Sequence, residues 1–496
     1  SPTISAGTDT ITIAGVFYTA PNTDLDGNPR PNPAGTVLDM GAYENENGAG
    51  VYNGPVWYVD ASSDLPYANG SESAKFSKIQ YGINAAASAD TVLVAAGTYV
   101  ENIDYGGKNI VILGADQETT IIDGNHAGSV VTFQSGELPN AVLGGFTLQN
   151  GLEENGGGIY CTGGSSPSLY DLIITNNSAT GNNGRGGGLR CTINSDPTLV
   201  NVLISDNTAT QEGGGIFCDN SDPSFVNVTV GGNVSSIADG GGLFIQNNSN
   251  VNLLNTIIAS NDSNDLEFSS TGDSSTITLL YSNIDGGQDS IITNDNGTVI
   301  WGEGSLDVDP LFVDADNDDF NLTADSRLID AGHPDSTDAD GTIADMGAYY
   351  YDQSGQPVRV KNLITTPSAN NIALKWPASM ENDLAGYYIY RDTDSNADFY
   401  NMSQYATAAD SFYVDEGADE STTFHYRVSA VDSDGDEGIF AFARHSRTGN
   451  DTTALSMGAD DRWISVPVSR SPVFSPEQDY TLEFYFQPLG YGNEAQ

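Results

Sequence analysis

The sequence predicts an all-β chain in which a parallel β-solenoid is followed by β-sandwich modules, and three observations predict it. The stretch GGGIYC at Gly156 returns as GGGLRC at Gly186, GGGIFC at Gly213 and GGGLFI at Gly240, at steps of 30, 27 and 27 residues. Repeats of that length imply stacked units that cannot bury a core alone. Composition points the same way: 56 glycines among 496 residues, with abundant Asn, Ser, Thr and Asp, favour turns and short strands over helices. From about Gln356 the repeat stops, and spaced strand-like runs with turn residues between them take over.

In chain order, residues 1–48 share signatures with the region after Ser326. SPTISAG at Ser1 pairs with SRLIDAG, DLDG at Asp24 with DADG at Asp338, and DMGAYE at Asp39 with DMGAYY at Asp345. This segment therefore reads as the tail of a preceding solenoid, and the chain as a piece of a longer tandem protein. The solenoid proper is expected over 49–355, a first sandwich over 356–447 and the start of a second over 448–496. Ile79 to Ala87 is a helical candidate, placed to cover the open edge of the first rung. SLDVDPLFVDADNDDFNLTADSRLIDAG is expected to protect the other end.

Within the rungs, alternation turns the fourth and sixth residues of each glycine-triplet strand inward. That stacks Ile159, Leu189, Ile216 and Leu243 in one column and Cys161, Cys191, Cys218 and Ile245 in another. An isoleucine closing the cysteine column marks it as an apolar ladder rather than a metal site. Pro167, Pro197 and Pro223 each open a short apolar run, and Asn150, Asn177, Asn207, Asn233 and Asn261 form a turn column suited to amide hydrogen bonds between rungs.

Charge restricts the partners. Sixteen Lys and Arg face 67 Asp and Glu, a formal net charge of -51. Such a surface repels nucleic acid, anionic lipid and acidic polysaccharide. It leaves neutral glycans, cations and cationic or neighbouring surface proteins, including other copies of the chain. No run reaches the roughly 18 apolar residues of a membrane span, and three cysteines do not make a disulfide framework.

GTYVENI, IIDG, the GGGI rungs with Asn turns, DPLFVD, SRLIDAG and DMGAYY together resemble secreted bacterial right-handed parallel β-helix repeat proteins, related in architecture to pectate lyases. The resemblance spans roughly Trp57 to Tyr351 and implies a right-handed solenoid at a bacterial surface or outside the cell. Lyase chemistry in that superfamily uses an Arg or Lys base and a basic groove with calcium. Between Trp57 and Asp352 the basic residues are only Lys75, Lys78, Lys108, Arg185, Arg190 and Arg327. VKNLITTPSANNIALKWPAS, LAGYYIYRDTD and TTFHYRVSAVDSDGDEG resemble a fibronectin type III sandwich, with Trp376 on an early strand and Tyr426 on a late one. The run from Ala454 resembles the start of a laminin-G or concanavalin-A-like sandwich.

Four candidate sites follow. Loops entering the triplets carry Glu154, Arg185, Glu212 and Asp239. Rungs stack about 4.8 Å apart, so Glu212 and Asp239 could approach the 5 to 5.5 Å carboxylate separation of a retaining glycosidase. The outward column Tyr160, Arg190, Phe217 and Phe244 could stack on sugar rings, unless loops fold over it. Asp314, Asp316, Asp318, Asp319, Asp335, Asp338 and Asp340 supply hard oxygen ligands for structural calcium, though not at EF-hand spacing. His126 in DGNHAG reads as a surface turn residue. The functional expectation is a non-catalytic extracellular stalk or adhesin contacting polysaccharide, cell-surface glycan or neighbouring cells. Its alternatives are a polysaccharide-active hydrolase or lyase with its site on the solenoid flank, and a subunit of an extracellular fibre.

Overall fold

The computed structural model describes residues 52–446, except 66–67, 237–238, 263, 361–362, 369, 380–382, 394–401, 420–421, 440 and 442–443. It also describes residues 23 and 30 and the short strands Thr10–Ile13, Val16–Thr19, Thr453–Ser456 and Trp463–Val466. Apart from those strands and residues, the tail of a preceding solenoid and the laminin-G-like start lie outside the described residues. The chain divides into two compact units, Ser1–Gly355 and Gln356–Gln496.

The first unit is a parallel β-solenoid. Its longest sheet has 14 strands, a second has seven and includes the glycine-triplet strands, and a third has four. Neighbouring strands pair in register, so each side chain sits on its counterpart one rung away. One inward column runs Val92, Ile112, Leu143, Leu169, Leu199, Phe225, Leu253 and Leu279, all buried. Burying each such side chain is worth about 1.5 to 3 kcal/mol.

Cys161, Cys191 and Cys218 stack between Phe133 and Ile245, are free thiols, and are fully buried. The cysteine column is thus part of the core, and burial pushes the Cys161 and Cys191 thiols far up from their ordinary range.

The glycine triplets serve two purposes. The first glycine of each, Gly156, Gly186, Gly213 and Gly240, has φ of 72°, 66°, 70° and 58°, the left-handed region in which Cβ is costly. The second and third sit where rungs approach most closely. A Cβ on Gly187 would lie 2.4 Å from the Gly214 carbonyl oxygen, and one on Gly188 2.8 Å from that of Gly215.

Buried asparagines run beside them. Asn177 Nδ2 donates to Asn207 Oδ1 at 3.0 Å, Asn207 to Asn233 at 3.0 Å, and Asn233 to Asn261 at 2.9 Å. Each Oδ1 also accepts the backbone N–H of the rung before. Asn150 is not in this column. Its place is held by Gly151, whose N–H donates to Asn177 Oδ1, while Asn150 adopts φ 56° beside the left-handed Asn176 and Asp206. The one-residue offset arises because each turn uses two adjacent polar residues, one twisted and one buried.

Helix α1 (Ile79–Ala85) buries Ile79, Gly82 and Ile83 against the strands Val56–Val59 and Thr91–Val94, at the edge where the helical candidate was expected. Glu101 accepts the N–H groups of Ile79 and Gln80 at its N-terminus, and Lys108 Nζ donates to the carbonyls of Ile83, Asn84 and Ala86 at its C-terminus. Each charge complements the helix dipole.

The segment expected to protect the far end does something else as well. Leu306 and Val308 continue onto the last rungs, but the chain then folds back over the outer face of the long sheet. Phe320 packs against Gly231, where a Cβ would lie 2.4 Å from its ring. His333 N–H donates to Asn255 Oδ1 at 2.7 Å and Ala348 N–H to Thr229 Oγ1 at 2.9 Å. A glycine notch and the polar side chains of Thr229 and Asn255, buried beneath the returning chain, give it a place to dock that a flat rung end lacks.

The second unit is an antiparallel sandwich. Ile364–Pro367, Ile372–Lys375 and Phe412–Asp415 form one sheet; Leu384–Asp392, Gln404–Ala408, Phe424–Asp432 and Arg444–Ser446 form the other. Trp376, Tyr387, Ile389, Tyr426 and Val428 fill the space between them, a fibronectin type III-like arrangement. Asp415, fully buried, receives Arg391 Nη1 at 2.8 Å, Tyr405 Oη at 2.9 Å and Tyr426 Oη at 2.6 Å.

Candidate functional site

On the solenoid flank, the sequence places Arg185, Glu212 and Asp239 one residue before successive triplets, and the rung hydrogen bonds stack them. Gly186 N–H donates to the Glu212 carbonyl and Gly213 N–H to that of Asp239. Glu154 is offset by one: Asn155, not Glu154, bridges Arg185, and Glu154 accepts the Asn183 N–H instead. Arg185 Nε lies 2.6 Å from Glu212 Oε2, a half-buried ion pair. Among the described residues no cation pairs with Asp239. Burial, then repulsion from Glu212, raises its carboxyl above the ordinary range.

The outward column does not offer the aromatic platform expected of it. Phe217 is fully buried and Phe244 is 4% exposed, stacked on each other at 5.8 Å between centroids. Arg185 and Arg190 lie over Phe217 at 5.4 and 5.3 Å, and Arg190 is anchored to Asn155 Oδ1 at 2.5 Å. Cation–π contacts close this face, leaving only Tyr160 and Arg190 half-buried. The column continues into Glu267, which the sequence reading missed because its rung lacks a glycine triplet. Burial raises Glu267 despite hydrogen bonds from Asn294 and Asn264.

Four of the aspartates expected to bind calcium accept hydrogen bonds from nearby residues. Asp314 accepts from Asn317, Asp319 from Asn321, Asp340 from Thr342 and the Gln353 N–H, and Asp338 from the Asp345 N–H. The N–H of Asp335 donates to His333 Nδ1. Asp318 lies beside Asp206, whose carboxyl burial and the nearby Asp318 push up to about 7, and Asp316 lies in a short 3-10 turn. Among the described residues no three acidic, His or Cys side chains converge into a ligand set. His126 is an exposed left-handed turn residue.

The returning segment builds a site that the sequence did not show. Where it crosses the long sheet it leaves a cleft of about 370 Å³ lined by Gln117, Asp171, Asn201, Asn227, Asp338, Asp345, Tyr349 and Tyr350, among others. Its floor is a second, outer amide ladder. Asp171, Asn201, Asn227 and Asn255 bend the long strands at φ between 50° and 55°; Asn201 donates to Asp171, Asn227 to Asn201 and Asn255 to Asn227, each at 3.0 Å. Across the cleft, Asp345 accepts the N–H groups of Asp330 and Tyr351. Burial nevertheless pushes Asp345 up to about 7 and Asp338 up to about 6.

No family model matches the sequence, and no curated protein matches it. Solved structures are similar to parts of it. A fibronectin type III-like protein from Clostridium thermocellum shares 24% identity over 18% of this chain and 92% of its own, with a TM-score of 0.16. The sixth fibronectin type III domain of a human fibronectin type III domain containing protein shares 22% over 21% and 96%, with a TM-score of 0.17. A pectin methylesterase in complex with a hexasaccharide shares 15% over 64% and 83%, with a TM-score of 0.21. At such identities and TM-scores, the residues above rather than these likenesses carry the chemistry.

Proposed function

We propose that the chain is a non-catalytic extracellular stalk that presents a binding surface to glycans or neighbouring cells. The observation that supports it most is the unbroken internal stacking. Hydrophobic, asparagine and glycine columns run from rung to rung, so the unit is a rigid rod, and a separate sandwich follows it in the chain. Such a design serves reach and display, and nearest-neighbour stacking extends it at little cost. The strongly acidic surface suits contact with neutral partners and disfavours anionic ones. The test is retention of the whole chain on bacterial or host cells and on insoluble polysaccharides, with and without calcium. Saturable retention with no change in glycan chain length supports the stalk; no retention on any surface removes it.

A second reading has one specific observation in its favour. Arg185 pairs with Glu212 at 2.6 Å, while burial and the nearby Glu212 raise the carboxyl of its neighbour Asp239, an asymmetry between adjacent carboxyls of the kind acid–base chemistry uses. If the flank hydrolyses a glycan, shortened products appear, and Glu212→Gln and Asp239→Asn each abolish them.

A further inference from the structure

We propose that the cleft between the long sheet and the returning segment binds a short stretch of neutral oligosaccharide, lying along the solenoid axis over Asp171, Asn201 and Asn227. This rests on the stalk reading above and names the place and chemistry of its contact.

The two amide ladders differ in what they leave over. In the inner ladder Asn207 Nδ2 donates both to Asn233 Oδ1 and to the Ile174 carbonyl, so both amide hydrogens are used. In the outer ladder Asn201 and Asn227 Nδ2 each make one hydrogen bond, to the residue one rung back. One amide hydrogen per rung remains, at the floor of the cleft. Opposite in character, Gln117 Oε1 is buried and accepts no hydrogen bond, although Gln117 lines the same cleft. A buried acceptor left unmatched costs roughly 1 to 3 kcal/mol, and a ligand hydroxyl satisfies it.

The lining sets the class of ligand. It holds amides, a threonine, aspartates and two tyrosines, and no Lys or Arg. Uronates, sulfates and phosphates would meet Asp171, Asp338 and Asp345 without a compensating cation. Sugar hydroxyls can donate to those carboxyls and accept from the amides. Tyr350, 42% exposed at the rim, offers a ring face for a sugar to stack on. The rung spacing of about 4.8 Å is close to the length of one sugar unit in an extended chain, so successive sugars meet successive amides. A volume of about 370 Å³ lies at the lower end of the ~300–1,000 Å³ range of small-ligand sites, which suits a short stretch of chain.

The test uses the whole chain with soluble gluco-, manno- and xylo-oligosaccharides of two to six units, titrated by calorimetry, beside oligogalacturonate and glucosamine oligomers. The expected result is saturable binding of at least one neutral series. Tyr350→Ala and Gln117→Ala should each weaken it about tenfold or more with unchanged melting temperature, and the sugar should slow hydrogen exchange in residues 337–350. Neutral binding untouched by both variants places the contact elsewhere: the cleft proposal falls and the stalk reading stands. Tighter binding of oligogalacturonate or of glucosamine oligomers overturns the assignment to neutral sugars. No soluble sugar bound, while the chain is still retained on cells, also overturns the cleft proposal and leaves the stalk reading in place.

Discussion

Asp415 in the sandwich and Asp345 in the solenoid are both buried aspartates, yet the protein treats them in opposite ways. Burial works against the charge of Asp415, but hydrogen bonds from Tyr426, Arg391 and Tyr405 outweigh it and leave its carboxyl below the ordinary range. Asp345 receives two backbone N–H groups and, among the described residues, no cation; burial first, then the nearby Asp338 and Asp330, push its carboxyl up to about 7. The number and kind of donors around a buried carboxyl, two phenols and a guanidinium in one case and two backbone N–H groups in the other, set whether burial is outweighed. The solenoid stacks buried neutral amides in ladders, whereas the sandwich gathers a carboxylate, a guanidinium and two phenols in one matched cluster.

The largest expected effect breaks that cluster. Asp415→Ala strands Arg391, Tyr405 and Tyr426, and should destabilise the sandwich by about 3 to 5 kcal/mol, read by urea unfolding of the whole chain through its second transition. Next comes the neutral ladder: Asn207→Ala leaves the Asn177 N–H and the Ile174 carbonyl unmatched and should cost the solenoid about 2 to 3 kcal/mol. The matching change in the outer ladder, Asn201→Ala, should cost less, about 1 kcal/mol, because water can reach its exposed or half-buried partners and the remaining cost is the strain of alanine at φ 55°. A loss for Asn201→Ala as large as for Asn207→Ala would show the two ladders to be energetically alike. Smallest at acidic pH is Asp345→Asn, which resembles the protonated acid; it should leave stability near pH 5 within about 1 kcal/mol while flattening its decline toward pH 8.

How much of this was legible depended on whether a column keeps one residue type. The cysteine and buried asparagine columns do, so the repeat revealed the solenoid and its core. The outer bend column reads Gly145, Asp171, Asn201, Asn227, Asn255 and Tyr281; left-handed backbone unites it, not a shared side chain, and so it passed unnoticed. Burial of Phe217 was beyond local pattern, because the two arginines over it come from the rung before, one from the loop and one from the strand around the Gly186 triplet. The cleft depends on contacts such as Ala348 to Thr229, 119 residues apart, and no repeat period encodes a chain that turns back. The aspartate-rich turns read as calcium ligands from composition; in the structure Asp319, Asp338 and Asp340 accept backbone N–H groups close by in the chain.

The contrast between the two units is tested most directly by hydrogen exchange of the whole chain from pH 3 to 8, corrected for intrinsic rates and read segment by segment. Asp345 and Asp338 have folded values of about 7 and about 6, above the unfolded value of about 3.9. The folded state therefore holds their protons more tightly, and stability is lost as pH rises from about 4 through 7. Asp415, held low, contributes stability above the unfolded value that is lost as pH falls through its folded value. The predicted result is that protection of residues 328–353 declines from pH 4 to 7 while that of Phe424–Asp432 rises from pH 3 to about 4 and then holds. Protection that moves in the same direction in both segments across those windows would contradict the account.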